Sequence, residues 1–185
     1  MANVVNGSGR GIPWRALGWG GAVALLALPF FAMQFTHEVN WTPSDFIFAG
    51  LLFAAIGGLF ELGARASREP TYRIGYALGL LGTFLVIWTN LAVGIVGSED
   101  NPGNLWFFGA LLVGIVGGAA AQLRPGGMSW AMAAVALCLG IAFVMATMSR
   151  TDEPHVSHWH ELAGTGIFAA LFLASSALFR RAARS

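Results

Sequence analysis

The chain has 185 residues, 56% of them apolar and only 10% charged, and ten arginines against nine acids leave a formal net charge of +1. A soluble domain carries about 25% charged residues, so there is too little polar side chain to solvate a shell of this size, and the apolar surface must face lipid; mean hydropathy is +0.67. The near-neutral balance offers no basic excess for nucleic acid, and the single Cys138 excludes an intrachain disulfide framework or a CxxC site.

A helix needs about 20 apolar residues to cross a hydrocarbon core of about 30 Å. Six runs meet that test, at 17–36, 46–64, 74–97, 105–123, 129–148 and 162–179. They are continuously apolar, whereas the strands of a closed barrel alternate in polarity, so helices are the expected form. The fold class is therefore all-α: a polytopic transmembrane bundle of six helices in one transmembrane domain, 1–185.

The first run follows Arg10 and Arg15, as the apolar part of a signal peptide would. It is too long for that role and ends Phe30-Phe31-Ala32-Met33-Gln34 without a small-x-small cleavage site, so a retained first span is expected, kinked at Pro29. Thr42-Pro43-Ser44-Asp45 has the chemistry of a helix N-terminus ahead of the second span. That span carries a small-residue pair, Ala54 and Gly58, and ends in Glu61 with Arg65 four residues on, the favourable orientation for a helical ion pair. An inner-mouth gate or proton site is the alternative for Glu61.

The third span carries Gly75 and Gly79 and, about two turns from its far end, Asn90. A buried amide is costly unless paired, so Asn90 must meet another helix or water. It either glues helices together or lines a polar vestibule beneath the lip formed by Ser98, Glu99, Asp100 and Asn101. The turn Asp100-Asn101-Pro102-Gly103-Asn104 leads to Asn104 as a cap for the fourth span, which carries the stripe Ala110, Gly114 and Gly118. A shift of 60 residues lays Ile56-Gly57-Gly58 over Val116-Gly117-Gly118, in keeping with three tandem helical hairpins. Small-residue stripes of this kind pack helices within a chain, or between copies as a homo-oligomer. Cys138, within the fifth span, reads as a small buried hydrophobe.

Six spans place Arg10, Arg15, Arg65, Arg68, Arg73, Arg124, Arg180, Arg181 and Arg184 on one side and only Arg150 on the other. The positive-inside rule makes the first side cytoplasmic, with both termini there. Glu38, Asp45, Glu99, Asp100, Asp152, Glu153 and Glu161 fall outside, and Trp14, Trp41, Trp106, Trp130 and Trp159 fall at the two interfaces.

The spans hold little chemistry. Glu61 is the only acid expected within one, and every His lies outside the core. Proton-coupled carriers place an ionisable group at depth, retinal needs a Lys, and bis-His haem needs His on facing helices. No residue set calls for a cofactor, and no nucleophile–base pair is legible, so no catalytic residue is assigned. The outer face carries His37 and the loop His155-Val156-Ser157-His158-Trp159-His160-Glu161. His37, His155, His158 and His160 are candidate copper or zinc ligands, although the HxxHxH spacing is not specific. A pH-responsive loop and a plain solvated loop are the alternatives.

The strings Val39-Asn40-Trp41-Thr42…Asp45-Phe46, Asn90-Leu91-Ala92-Val93-Gly94…Gly97-Ser98-Glu99-Asp100-Asn101-Pro102 and Arg124-Pro125…Gly127-Met128 resemble a family of small six-pass inner-membrane proteins of Proteobacteria to which no activity is assigned. The resemblance covers roughly residues 10–135, is most specific at Glu99-Asp100-Asn101-Pro102, and leaves out the His-rich loop. The layout is also loosely similar to HdeD-type acid-resistance membrane proteins. The resemblance implies a bacterial inner membrane and no mechanism. The expected role is a non-enzymatic accessory or stress-related membrane component, alone, as a homo-oligomer or in a membrane complex. A small transporter or channel with a vestibule at Asn90, and metal handling at the outer His and Met residues, are the alternatives.

Overall fold

The structure is a computed structural model and describes residues 14–36, 39–98, 100–148 and 158–185. Six α-helices follow one another: α1 (Trp14–Phe35), α2 (Pro43–Ala66), α3 (Pro70–Ala92), α4 (Leu105–Ala120), α5 (Pro125–Met148) and α6 (His158–Ala182), with one 3-10 turn, Pro102–Asn104, ahead of α4. All six are long and apolar enough to cross a membrane, counting that turn as part of the fourth span. The all-α expectation holds, and among the described residues there is no strand.

Helix ends follow local chemistry. The Asp45 carboxylate ties down the entry to α2: the Thr42 N–H donates to Asp45 Oδ2 at 2.7 Å and the Thr42 hydroxyl donates to the same oxygen at 2.8 Å. Pro43 then occupies the first helical position, where a missing N–H is harmless. At the start of α3 the Glu69 carboxylate accepts from the Tyr72 N–H. A hydrogen bond from the Thr71 side chain is the largest influence and holds this carboxyl below its usual range; burial opposes it, and the weaker Tyr72 and Thr71 backbone hydrogen bonds add to the lowering. The third run stops at Ala92, five residues earlier than expected, because Gly94 and Gly97 adopt φ of 75° and 70°, a left-handed backbone open to glycine. The sixth starts at His158 instead of 162, so Glu161 belongs to the helix and not to the loop.

The chain divides into two compact units, Met1–Gly57 and Gly58–Ser185. In the first, no described side chain of α1 is buried. Its Trp19 ring lies over Gly57, where a Cβ would come within 2.8 Å of the indole.

In the second unit, α3 packs on α6, α6 on α5, and α5 on α4. The hairpin partners α3 and α4 meet only slightly, whereas α5 and α6, the partners of the last hairpin, pack closely along their length. Phe107, Phe172, Phe179, Leu139, Val86 and Val135 are at most 1% exposed. In lipid such a core gains little from the hydrophobic effect, and close contact must supply the stability. Glycine provides it: a Cβ on Gly82 would sit 2.9 Å from the Phe172 ring, one on Gly79 3.2 Å from Ser175 Oγ, and one on Gly75 3.3 Å from the Ser175 carbonyl. The α4 glycines face α5, with Gly114 against Val135 and Gly117 against Ala131. Ala54 and Gly58 are exposed instead.

Candidate functional site

The richest polar constellation in the second unit is the connection between α3 and α4. Ile95 and Val96 are buried, at 6% and 0% exposure. A buried loop must find partners for its backbone, and asparagines supply them. Asn104 Oδ1 accepts from the Val96 N–H at 3.0 Å, while Asn104 Nδ2 donates to the Val96 and Ser98 carbonyls at 3.2 and 2.8 Å. Asn101 Nδ2 also donates to Val96 O, at 3.0 Å, and Asn101 Oδ1 accepts from Gly103 N–H at 2.8 Å. Asn90 Nδ2 reaches up from α3 to the Asn104 carbonyl at 3.0 Å. Gly103 lets this knot press on α5, since a Cβ there would lie 2.6 Å from Ala146 Cα.

The knot is fastened to α6 by Glu161. This residue is 4% exposed. Oε1 accepts the Gly97 N–H at 2.7 Å, and Oε2 lies 3.4 Å from Nδ1 of the exposed His158. One turn deeper, Thr165 Oγ1 is buried and has no hydrogen-bond partner among the described residues.

This geometry sorts the candidate residues. Asn90 is 5% exposed and spent on a backbone carbonyl, which is the interhelical-glue alternative. Ser98 gives its carbonyl to Asn104 and Asn101, the latter through the Asn101 N–H. Asp100 is exposed, and Glu99 lies outside the described residues. Asn104 does not cap α4, because its side chain makes no capping hydrogen bond and turns back to the loop. Of the four candidate metal ligands, His37 and His155 lie outside the described residues. His158 and His160 are exposed on the first turn of α6, two residues apart and so on opposite sides of the helix. Among the described residues no group of three or more potential ligands comes together. Glu61 and Arg65 do form the expected ion pair, at 3.3 Å.

Three polar participants were not assigned from sequence. Glu161 adjoins the polar loop in sequence, yet it starts a row with Thr165, Phe168, Phe172 and Phe179, all buried. That row keeps the three- and four-residue spacing of one helical face, and extending it backwards from the phenylalanines reaches Glu161. Ser175 and Ser176 lie on the same side of α6. The Ser175 hydroxyl donates to Gly75 O at 2.6 Å and that of Ser176 to Ser129 O at 2.8 Å. Their signal, serines facing glycine or serine across a helix pair, exists only once the pairing is known.

At the opposite end, Tyr72 ties α3 to the α4–α5 turn by donating from its hydroxyl to Leu123 O at 2.8 Å. Leu123 and Gln122 both hold positive φ, 58° and 50°. Fold and ties together define an all-helical, multi-pass membrane protein. No family model matches the chain, and no curated protein or solved structure is found to be similar to it.

Proposed function

We propose that this chain is a non-enzymatic component of a bacterial inner membrane, with its termini and its arginine-rich end in the cytoplasm, that serves an accessory or stress-related role within a membrane assembly. One observation carries this reading: most buried polar side chains of the second unit, Thr165 excepted, are spent on the chain itself. Asn90, Asn104, Ser175, Ser176 and Glu161 all bond to backbone groups of a neighbouring segment. A permeation path needs polar groups that a passing solute can use, and these are already committed. Polar groups committed to the chain's own backbone suit a membrane anchor or subunit better than a carrier that must open. The resemblance to small six-pass inner-membrane proteins supports the location.

The test is crosslinking in native membranes, affinity purification of the full chain and mass spectrometry, beside ion and solute flux into proteoliposomes. The reading expects a recurrent membrane-protein partner and flux equal to that of empty vesicles. Recovery of the chain alone together with substantial flux would overturn it.

A further inference from the structure

We propose that the arginine-rich end of the α5–α6 face binds the phosphate of an anionic phospholipid, with Arg180 and Trp130 at the centre of the surface. Seven arginines of the second unit lie at this end; apart from the exposed Arg68 on the α2–α3 connection, they divide into two sets. Arg73 donates to the Ser67 and Ala64 carbonyls at 2.9 and 2.8 Å, and Arg65 pairs with Glu61. These two close the α2–α3 connection. Arg124, Arg180, Arg181 and Arg184 are exposed, and among the described residues none pairs with a carboxylate.

The Ser176–Ser129 hydrogen bond sets the register of α6 on α5 here. It brings Trp130, the next residue on α5, alongside Arg180, one turn beyond Ser176. The guanidinium carbon stands 5.6 Å from the centre of the indole ring. Stacking holds one face of the guanidinium and leaves its N–H edge free, and that planar fork matches two phosphate oxygens at once. Arg184 follows Arg180 by four residues and so continues the same helical row.

What makes a lipid the occupant is the surface that runs on from this pair. Trp130 is 72% exposed, and Leu137 and Ile141, seven and eleven residues along α5, are exposed as well. On α6, Leu173 lies seven residues before Arg180 and is also exposed. Two apolar rows thus lead from the cationic pair towards the middle of the spans. A headgroup phosphate on the guanidinium edge, with an acyl chain along these rows, satisfies both halves of the surface. An indole at the headgroup boundary is where a membrane places tryptophan.

An arginine that only orients the helix needs charge alone, whereas this surface needs the stacked fork. The full chain is loaded in mixed micelles with phosphatidylglycerol or with phosphatidylcholine, and retained lipid is counted by native mass spectrometry. Phosphatidylglycerol should be retained preferentially. Arg180→Ala should lower that retention about fivefold, the effect of one basic residue near an anionic surface. Trp130→Ala should lower it without removing charge, Arg180→Lys should restore it only in part, and Arg68→Ala, the same charge loss on the α2–α3 connection, should leave it unchanged. Unchanged helicity and melting in phosphatidylcholine show that the exposed-residue variants still fold. Equal retention of the two lipids, equal loss in Arg68→Ala and Arg180→Ala, or displacement of the lipid by inorganic phosphate alone would each overturn the proposal.

Discussion

Glu161 does more for this structure than its position next to a polar loop suggests. Its carboxylate satisfies the half-buried Gly97 N–H, and a donor left without a partner away from water costs about 1–3 kcal/mol. Glu161→Ala should therefore lower unfolding stability in detergent by about that amount, and Glu161→Gln, which keeps an acceptor, by distinctly less. Thr165 presents the opposite case. Its hydroxyl is buried without a partner among the described residues, so Thr165→Val should stabilise the protein by about 1 kcal/mol; a lower melting midpoint would show that the hydroxyl has a use. Glu69 supplies the pH response. Its carboxyl is held below the usual range chiefly by the Thr71 hydrogen bond. A depressed folded-state value contributes stability that is present above the unfolded value and is lost as pH falls through the folded one. The first turn of α3 should consequently fray as pH drops below the ordinary glutamate range, seen as faster amide exchange at Tyr72, and the Glu69→Gln variant should lack this pH step.

Helix pairing in the second unit rests on where side chains are missing. α3 presents Gly75, Gly79 and Gly82 to α6, and the tightest would-be contact along this ridge is 2.9 Å, at Gly82 and Phe172. Gly79→Leu should separate α3 from α6 and break the Ser175 hydrogen bond to Gly75 O, lowering the melting midpoint strongly. Gly140→Leu, at a glycine whose Cβ would meet nothing within 4 Å, should leave it nearly unchanged. The glycine pair on α3 and the small stripe on α4 were legible in the sequence because a four-residue period is a property of one helix. Which helix each stripe would meet was not legible. The pairing of α3 with α6 joins residues about a hundred positions apart, as in Ser175 and Gly75, and depends on all the helices together. Helix limits failed for a related reason. Gly94 and Gly97 sit in an apolar run that hydropathy counts as span, whereas their positive φ ends the helix.

For the whole molecule, hydropathy and charge carried most of the reading. The six runs reappear as six helices able to span a membrane, and within the second unit the contacts of Tyr72 with Leu123 and Phe179 gather the arginine-bearing ends together. The polar constellation was legible only as a set of residues. Asn90, Ser98 and Asn101 were singled out, but their satisfaction by one another and by Asn104 is a matter of loop conformation that no periodicity encodes. The central claim is a six-span topology with the arginine-rich end in the cytoplasm, and it can be tested by cysteine labelling, since Cys138 is the only native thiol. In a Cys138→Ala background, Asp100→Cys, Arg68→Cys, Arg124→Cys and Arg181→Cys would be exposed singly to a membrane-impermeant maleimide in intact bacterial cells with a permeabilised outer membrane. The account predicts labelling at position 100 alone, with positions 68, 124 and 181 reacting only after the inner membrane is opened. Labelling of 68, 124 or 181 in cells with a sealed inner membrane would contradict it.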